Sequence, residues 1–233
     1  MYSFKSYTKA KVLKSLKINS AKIPYLISFT EKTFNARRKK ILNQLTQIFK
    51  NKVAIRSSNV AEDQEKKSFA GYFKSFLNID SKNRNSIEEH IGNVFKSYKN
   101  YRNKKNEVII QDMVNSVKIS GVATSCDKDN FTPYYIINFS KSKDTSKITS
   151  GNLNGITFIF YSKSKKLPKN FYLRKIIYLI KELTAIFGDA IDIEFAFSNK
   201  KLFLLQVRKI VRNKNYKNIN LNLYCKCFIG NCK

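Results

Sequence analysis

The chain of 233 residues carries 45 Lys and Arg against 16 Asp and Glu, a net charge of +29, and is 42% hydrophobic. That apolar content builds the core of one large or two small domains and excludes a disordered polar chain, while no apolar run nears the roughly 18 residues that span a bilayer. The lysine excess favours anionic partners, yet it is spread along the whole chain with asparagine, isoleucine and phenylalanine, as a coding sequence biased toward A and T produces, rather than gathered in an arm that would mark a nucleic-acid footprint.

From the N-terminus, Thr8 is placed to cap a short helix with Ala10, Val12, Leu13 and Leu16 at helical spacing and Lys9 in its first turn. Ile23 to Phe29 reads as a strand with Pro24 near its start, where the missing N–H does least harm. Thr30 caps a helix reaching about Lys50, with Phe34, Ile41, Leu42, Leu45 and Phe49 facing the core.

The stretch VAIRSSNVAEDQEKKSFAGYFKSFLNI, Val53 to Ile79, opens with an apolar strand carrying one guanidinium, Arg56. A buried strand tolerates such a group only beside a charged partner, and none lies nearby in sequence. A polar loop follows, then Gly71, which can take a positive φ or let backbone approach a ligand, and a second strand from Tyr72 to Ile79. The pattern fits both an ordinary hairpin with a structural arginine and a flap over phosphates with Arg56 as the forked donor.

Ser86 and Glu89 have the spacing of a capping box. The helix behind them carries Ile87, Ile91, Val94, Phe95 and Tyr98 on one stripe, with His90, the single histidine of the chain, beside it in a structural or solvated role. Glu107 to Val114 and Lys118 to Ser125 read as two strands of a hairpin joined at Asn115, Ser116 and Val117. Pro133 to Ser140 and Gly155 to Tyr161 read as further strands, and Asn170 to Phe187 as a helix stopped by Gly188.

In AIDIEFAFSNKKLFLLQVRKI, alternation puts Ile191, Ile193, Phe195 and Phe197 on one face and Asp192, Glu194 and Ala196 on the other, while Gln206 and Arg208 share a face of the returning strand. Carboxylate and amide oxygens suit a hard cation such as Mg²⁺, although polar groups on the wet face of an exposed hairpin would look the same. If Glu194 and Gln206 chelate one ion they are cross-strand neighbours. That register pairs Asp192 with Arg208 and Ser198 with Leu202, through a connection of Asn199, Lys200 and Lys201. A two-residue turn at Asn199 and Lys200 sets Glu194 opposite Leu205 unless a bulge compensates.

Cys126, Cys225, Cys227 and Cys232 form no disulfide framework, and the C-terminal three lack a fourth ligand for a metal site. No signal-peptide pattern opens the chain, so a reducing cytoplasm is the expected setting.

Three of these stretches resemble the ATP-binding domain of phosphoenolpyruvate synthases and pyruvate phosphate dikinases, an ATP-grasp fold. They are the RSS, AED and SFAG signature around Arg56, the VIIQDMVNSVKISGVATS segment, and DIE followed by KLFLLQVR, which is similar to the family's DIEWA and LYLLQSRP. TKAKVLKSL resembles the family's opening, without its two glycines. The fold class implied is α/β, a two-lobed nucleotide-binding fold with mostly antiparallel sheets. It would span 1–210, with lobes 1–105 and 106–210 and a basic tail 211–233 expected to be disordered.

The resemblance implies ATP and Mg²⁺ as cofactors, with Arg56, Arg208 and Lys9 at the phosphates and Arg56 and Arg208 as the catalytic cations. Gly71, Ser75, Gln111, Met113 and Val114 are further nucleotide contacts, and Glu194 and Gln206 are metal ligands with the Asp192 carboxylate just behind them. A shortened SKSKDTSKITSG segment, where dikinases carry a GLGE-type run, resembles the L-glutamine kinase branch, so the acceptor implied is pyruvate or a glutamine-like molecule. Full-length relatives add a phosphohistidine domain and an acceptor domain that this chain does not match, so a truncated or split kinase with a separately encoded partner is implied. A degenerate nucleotide-binding module and a basic nucleic-acid binder are the alternatives.

Overall fold

A computed structural model describes residues 8–59, 73–98, 101, 103–140 and 155–210. Gly71, the polar loop before it, the segment compared with GLGE and the tail with Cys225, Cys227 and Cys232 lie outside the described residues. The elements run α1 (Lys9–Ser15), β1 (Leu26–Thr30), α2 (Glu31–Ile48), β2 (Lys52–Ser58), β3 (Ser75–Asp80), α3 (Arg84–Ser97), β4 (Glu107–Asp112), β5 (Val117–Thr124), β6 (Tyr134–Ser140), β7 (Ile156–Tyr161), α4 (Phe171–Phe187), β8 (Ile191–Ser198) and β9 (Lys201–Lys209).

These strands form a four-stranded sheet in the order β1-β4-β2-β3 and a five-stranded sheet in the order β7-β6-β5-β8-β9, with antiparallel pairing throughout. Each sheet buries one face under helices. Phe34, Leu42 and Leu45 of α2 and Ile87, Ile91 and Val94 of α3 pack on Val53, Ile55, Val108 and Ile110 of the first sheet. Ile176, Ile177, Ile180 and Leu183 of α4 pack with Ile191, Ile193, Phe195 and Phe197 of the second. The fold is therefore α/β and two-lobed, with helices covering one face of each antiparallel sheet.

Helix α1 joins the two lobes. Val12, Leu13 and Leu16 belong to the core of the second sheet, while its cap, Thr8, accepts from Lys11 N–H and donates to Glu107 at 2.6 Å, and Ala10 N–H donates to Ser58 Oγ, both in the first sheet.

Several expected boundaries move. The first strand begins at Leu26 rather than Ile23, since residues before it are drawn to the other sheet, where Lys22 bridges Phe203. The cap of α3 is Asn83, whose side chain accepts from Ser86 N–H. Ser86 is thus already inside the helix, and the Ser86–Glu89 pair is no capping box. Most consequential, β4 and β5 are not a hairpin. β4 pairs with β1 and β2 and β5 with β6 and β8, so residues 113–116 are the crossing between sheets. The division falls after β4, which belongs to the N-terminal sheet rather than to a lobe beginning at 106.

The β8–β9 connection is a two-residue turn, with Asn199 and Lys200 at φ 47° and 62° and Ser198 facing Lys201. Positive φ at both central positions is the turn geometry whose twist matches the flanking strands. A register shift between Glu194 and Phe195 then skips Leu205 and restores Glu194 opposite Gln206 and Asp192 opposite Arg208. The three-residue connection is therefore replaced by a shorter turn plus a bulge, and the cross-strand pairs survive because one extra residue corrects the register.

Candidate functional site

The uncovered faces of the two sheets meet at a cleft. Ala54, Arg56, Gln111, Asp112, Met113 and Val114 line it from the first sheet and the crossing, and Ser120, Glu194, Ala196 and Leu205 line it from the second. The crossing end is closed by Gln111, whose Nε2 donates to Leu205 C=O at 3.5 Å. That carbonyl belongs to the bulged residue, which regular pairing would have turned into the ladder. Burial raises the carboxyl of Asp112 at this end above its ordinary value.

At the centre, Arg56 Nη1 donates to Glu194 Oε2 at 3.1 Å. The guanidinium thus finds its partner on the other sheet. Gln206 lies directly opposite Glu194 and is buried. Ser75 faces Arg56 in the β2–β3 register, which sets the two side chains on one face.

One pleat further along β8, Asp192 is buried and accepts from Arg208 Nη2 at 3.0 Å and Nε at 3.2 Å and from Lys128 Nζ at 2.8 Å, all on Oδ2. Thr124 faces Asp192 from β5. Lys128 was not singled out by the sequence, because it lies in an irregular loop with no motif around it. Lys9 is buried at the start of α1, near the Ser58 and Glu107 ends of β2 and β4 where Thr8 and Ala10 are hydrogen-bonded, and does not line the cleft itself.

Three buried side-chain atoms have no hydrogen-bond partner among the described residues: Arg56 Nε, Ser120 Oγ and Thr124 Oγ1. Buried polar groups ordinarily find partners, and orphans at a cleft indicate where a polar ligand would be satisfied. A hard divalent cation takes one or two carboxylates together with phosphate and water oxygens. The Glu194 carboxylate beside the Gln206 amide is such a donor set. Asp192 is engaged instead by two cations.

His90 stands elsewhere. Its Nδ1 lies 2.6 Å from Ser86 C=O and its ring meets Phe76 edge-on at 4.4 Å, on the helix-covered side of the first sheet. Among the described residues no group of three His, Cys, Asp or Glu side chains is arranged to hold a metal. Burial, with Asp127 adding to it and Lys128 opposing, pushes the Cys126 thiol up to about 11, so it is protonated and unreactive near neutral pH. No helix among the described residues is long and apolar enough to cross a membrane.

Residues 5–155 match the family model described as pyruvate phosphate dikinase, AMP/ATP-binding domain. A curated relative, the uncharacterized phosphotransferase YvkC of Bacillus subtilis (strain 168), is 23% identical over 201 residues, covering 68% of this chain and 24% of the relative. Among solved structures, D-alanine–D-alanine ligase from Helicobacter pylori superposes with a TM-score of 0.52 at 17% identity, over 88% of this chain and 54% of the ligase. D-alanine–D-alanine ligase from Bacillus anthracis complexed with ATP gives 0.43 at 11% identity, over 87% and 51%. The chain thus spans about a quarter of the length of the curated relative and about half that of the ligases. The Helicobacter pylori likeness shows the fold, an ATP-grasp architecture of two antiparallel sheets with a cleft between them.

Proposed function

We propose, since the chain belongs to the pyruvate phosphate dikinase AMP/ATP-binding domain family, that its cleft binds ATP with Mg²⁺ and serves the nucleotide half of a phosphoryl transfer. Such a transfer asks for positioning and charge neutralisation more than for covalent chemistry by the protein. The observation that carries this reading is the Arg56–Glu194 pair across the two sheets: a cation for phosphate oxygens and an anion for a metal, held against each other where both ligands would sit.

The base would lie at the crossing, against Gln111, Met113, Val114 and Leu205. The phosphates would run along β8 toward Arg208, with Arg56 on the opposing sheet. Arg56 and Arg208 would act directly on the phosphates. Glu194 and Gln206 would hold Mg²⁺, which supplies charge neutralisation at the phosphate oxygens when bound. Asp192 would orient Arg208 rather than ligate the ion.

The phosphoryl acceptor is proposed to be presented by a further domain or a partner chain, with pyruvate or a glutamine-like molecule as the small-molecule class. His90, the single histidine of the 233 residues, is tied to its own helix away from the cleft. The test is thermal unfolding of the purified chain with ATP, with and without Mg²⁺. Binding to the folded state raises the midpoint as RT ln(1 + [L]/Kd). A Mg²⁺-dependent rise with ATP is expected, and no rise at millimolar ATP would overturn the assignment.

A further inference from the structure

We propose that Lys128 is a phosphate-handling cation of this cleft, parked on Asp192 when no nucleotide is bound and reading the terminal phosphates together with Arg208. The proposal rests on the nucleotide reading above and extends it to a residue outside the family-like motifs.

The geometry supplies the direction of the phosphate chain. Ser120, Ala196 and Leu205 lie at the crossing end of the cleft, Glu194 and Gln206 come next, and Asp192 and Arg208 follow two residues further along each strand. That step is roughly 7 Å, so the Asp192 row sits beyond the metal pair, where the phosphates farthest from the base would reach.

At that row two cations share one acceptor, since Lys128 and Arg208 both contact Asp192 on its Oδ2 atom. Among the described residues Asp192 is the acceptor that Lys128 meets, and a phosphate oxygen would give the ammonium a charged acceptor of its own. Thr124 Oγ1, buried without a partner among the described residues, sits on the neighbouring strand directly opposite Asp192 and adds a hydroxyl donor to the same row.

Lys128 is free to move, while the loop that carries it is held. Its side chain is 52% exposed against 6% for Asp192, so it can swing from the carboxylate to a bound phosphate. The loop is fixed by Asp127 Oδ1 accepting from Asp129 and Asn130 N–H and by Phe131 N–H donating to Asp127 C=O. Arg208, donating two N–H groups to Asp192 and less exposed, is the anchored partner of the two.

The test compares ATP and AMP binding, by titration with Mg²⁺, in the wild-type chain, Lys128→Gln and Lys128→Arg. Lys128→Gln is expected to weaken ATP by about five- to tenfold, as loss of one partly exposed charge-assisted contact does, with AMP changed less than about twofold. Lys128→Arg is expected to keep most of the ATP preference. ATP binding by Lys128→Gln equal to wild type, or an equal loss for ATP and AMP, would overturn the role of Lys128 and leave the nucleotide site standing. Failure of the wild-type chain to bind ATP would overturn the nucleotide site and this role with it.

Discussion

Arg56 and Glu194, 138 positions apart, meet at 3.1 Å across the cleft between the two sheets. Their side chains are 14% and 17% exposed, so each neutralises the other in a poorly solvated place where a lone charge would be costly. Mg·ATP would replace both halves at once, phosphate for Glu194 and metal for Arg56. Glu194→Gln is therefore expected to abolish the Mg²⁺ dependence of ATP binding while leaving metal-free ATP bound as well as, or better than, wild type. Arg56→Ala should weaken ATP by about 2–5 kcal/mol, the range for removing one partner of a buried charged contact. Unchanged Mg·ATP affinity in both variants, measured by calorimetry, would remove the pair from the site.

Gly121 has a packing role that the motif alone does not reveal. A Cβ there would come within 2.1 Å of Asn138 C=O, 2.8 Å of Phe195 and 2.9 Å of the Phe139 backbone. Backbone on a paired strand cannot yield as a flexible side chain would. Gly121→Ala is expected to destabilise the chain by about 1–3 kcal/mol, as overpacking does. Chemical denaturation checks it, and a loss under about 0.5 kcal/mol would mean that β5 and β6 separate easily.

The two-residue turn makes a separate prediction. Lys200 sits at φ 62°, a left-handed conformation that costs a β-carbon-bearing residue about 1–2 kcal/mol and glycine almost nothing. Lys200→Gly should raise stability by about 0.5–1 kcal/mol, discounted for the greater freedom of glycine in the unfolded chain. Destabilisation would argue for the longer connection.

How far the sequence reached depends on the range of each interaction. The helices and their buried stripes were legible because 3.6-residue periodicity is local, and the caps at Thr8, Thr30 and Gly188 followed from short-range hydrogen bonding. Asn83 was missed in favour of Ser86 because both residue types cap well and only the chain path chooses between them. The false hairpin at 107–125 has the same origin. Two strands with a turn between them look alike whether they pair or part into separate sheets, and the pairing of β4 with β1 and β2 is a long-range choice. Arg56 announced a missing partner that could not be named from residues nearby, and Lys128 gave no signal at all. The pairing of Asp192 with Arg208 and Glu194 with Gln206 followed only from the premise that one ion is shared, and whether a three-residue connection or a shorter turn with a bulge at Leu205 produces it could not be chosen from alternation, which is the same in both.

Glu182 on α4 accepts from Asn19 N–H at 2.7 Å and Ser20 N–H at 2.9 Å, pinning the link between α1 and β1 to the second lobe. Burial alone would raise its carboxyl, but these two backbone donors and the Ser20 side chain outweigh burial and lower it below 4.5. A carboxyl depressed in the folded state adds stability above its unfolded value and loses it as pH falls through the folded value. Unfolding midpoints of wild type and Glu182→Gln should therefore differ most near neutrality and converge as pH falls through the depressed folded value of Glu182. A gap independent of pH would show that the contact owes nothing to ionisation.

The last expectation concerns the step after nucleotide binding. A phosphoryl carrier needs an imidazole whose free nitrogen reaches the transferred group, since histidine is the side chain that is both nucleophilic near neutral pH and reactive once phosphorylated. His90 is held at Nδ1 by Ser86 C=O and stacked edge-on against Phe76, on α3, which covers the face of the first sheet opposite Arg56. Incubation with β- or γ-labelled ATP and Mg²⁺ should therefore leave the chain without acid-labile label, with at most slow hydrolysis, and His90→Gln should bind ATP as wild type does. Adding a separately expressed histidine-bearing domain should move label onto that domain if the nucleotide cleft feeds a carrier outside it. Label on this chain that disappears in His90→Gln would instead make His90 the carrier, and would require α3 to leave the core it shares with Ile87, Ile91 and Val94.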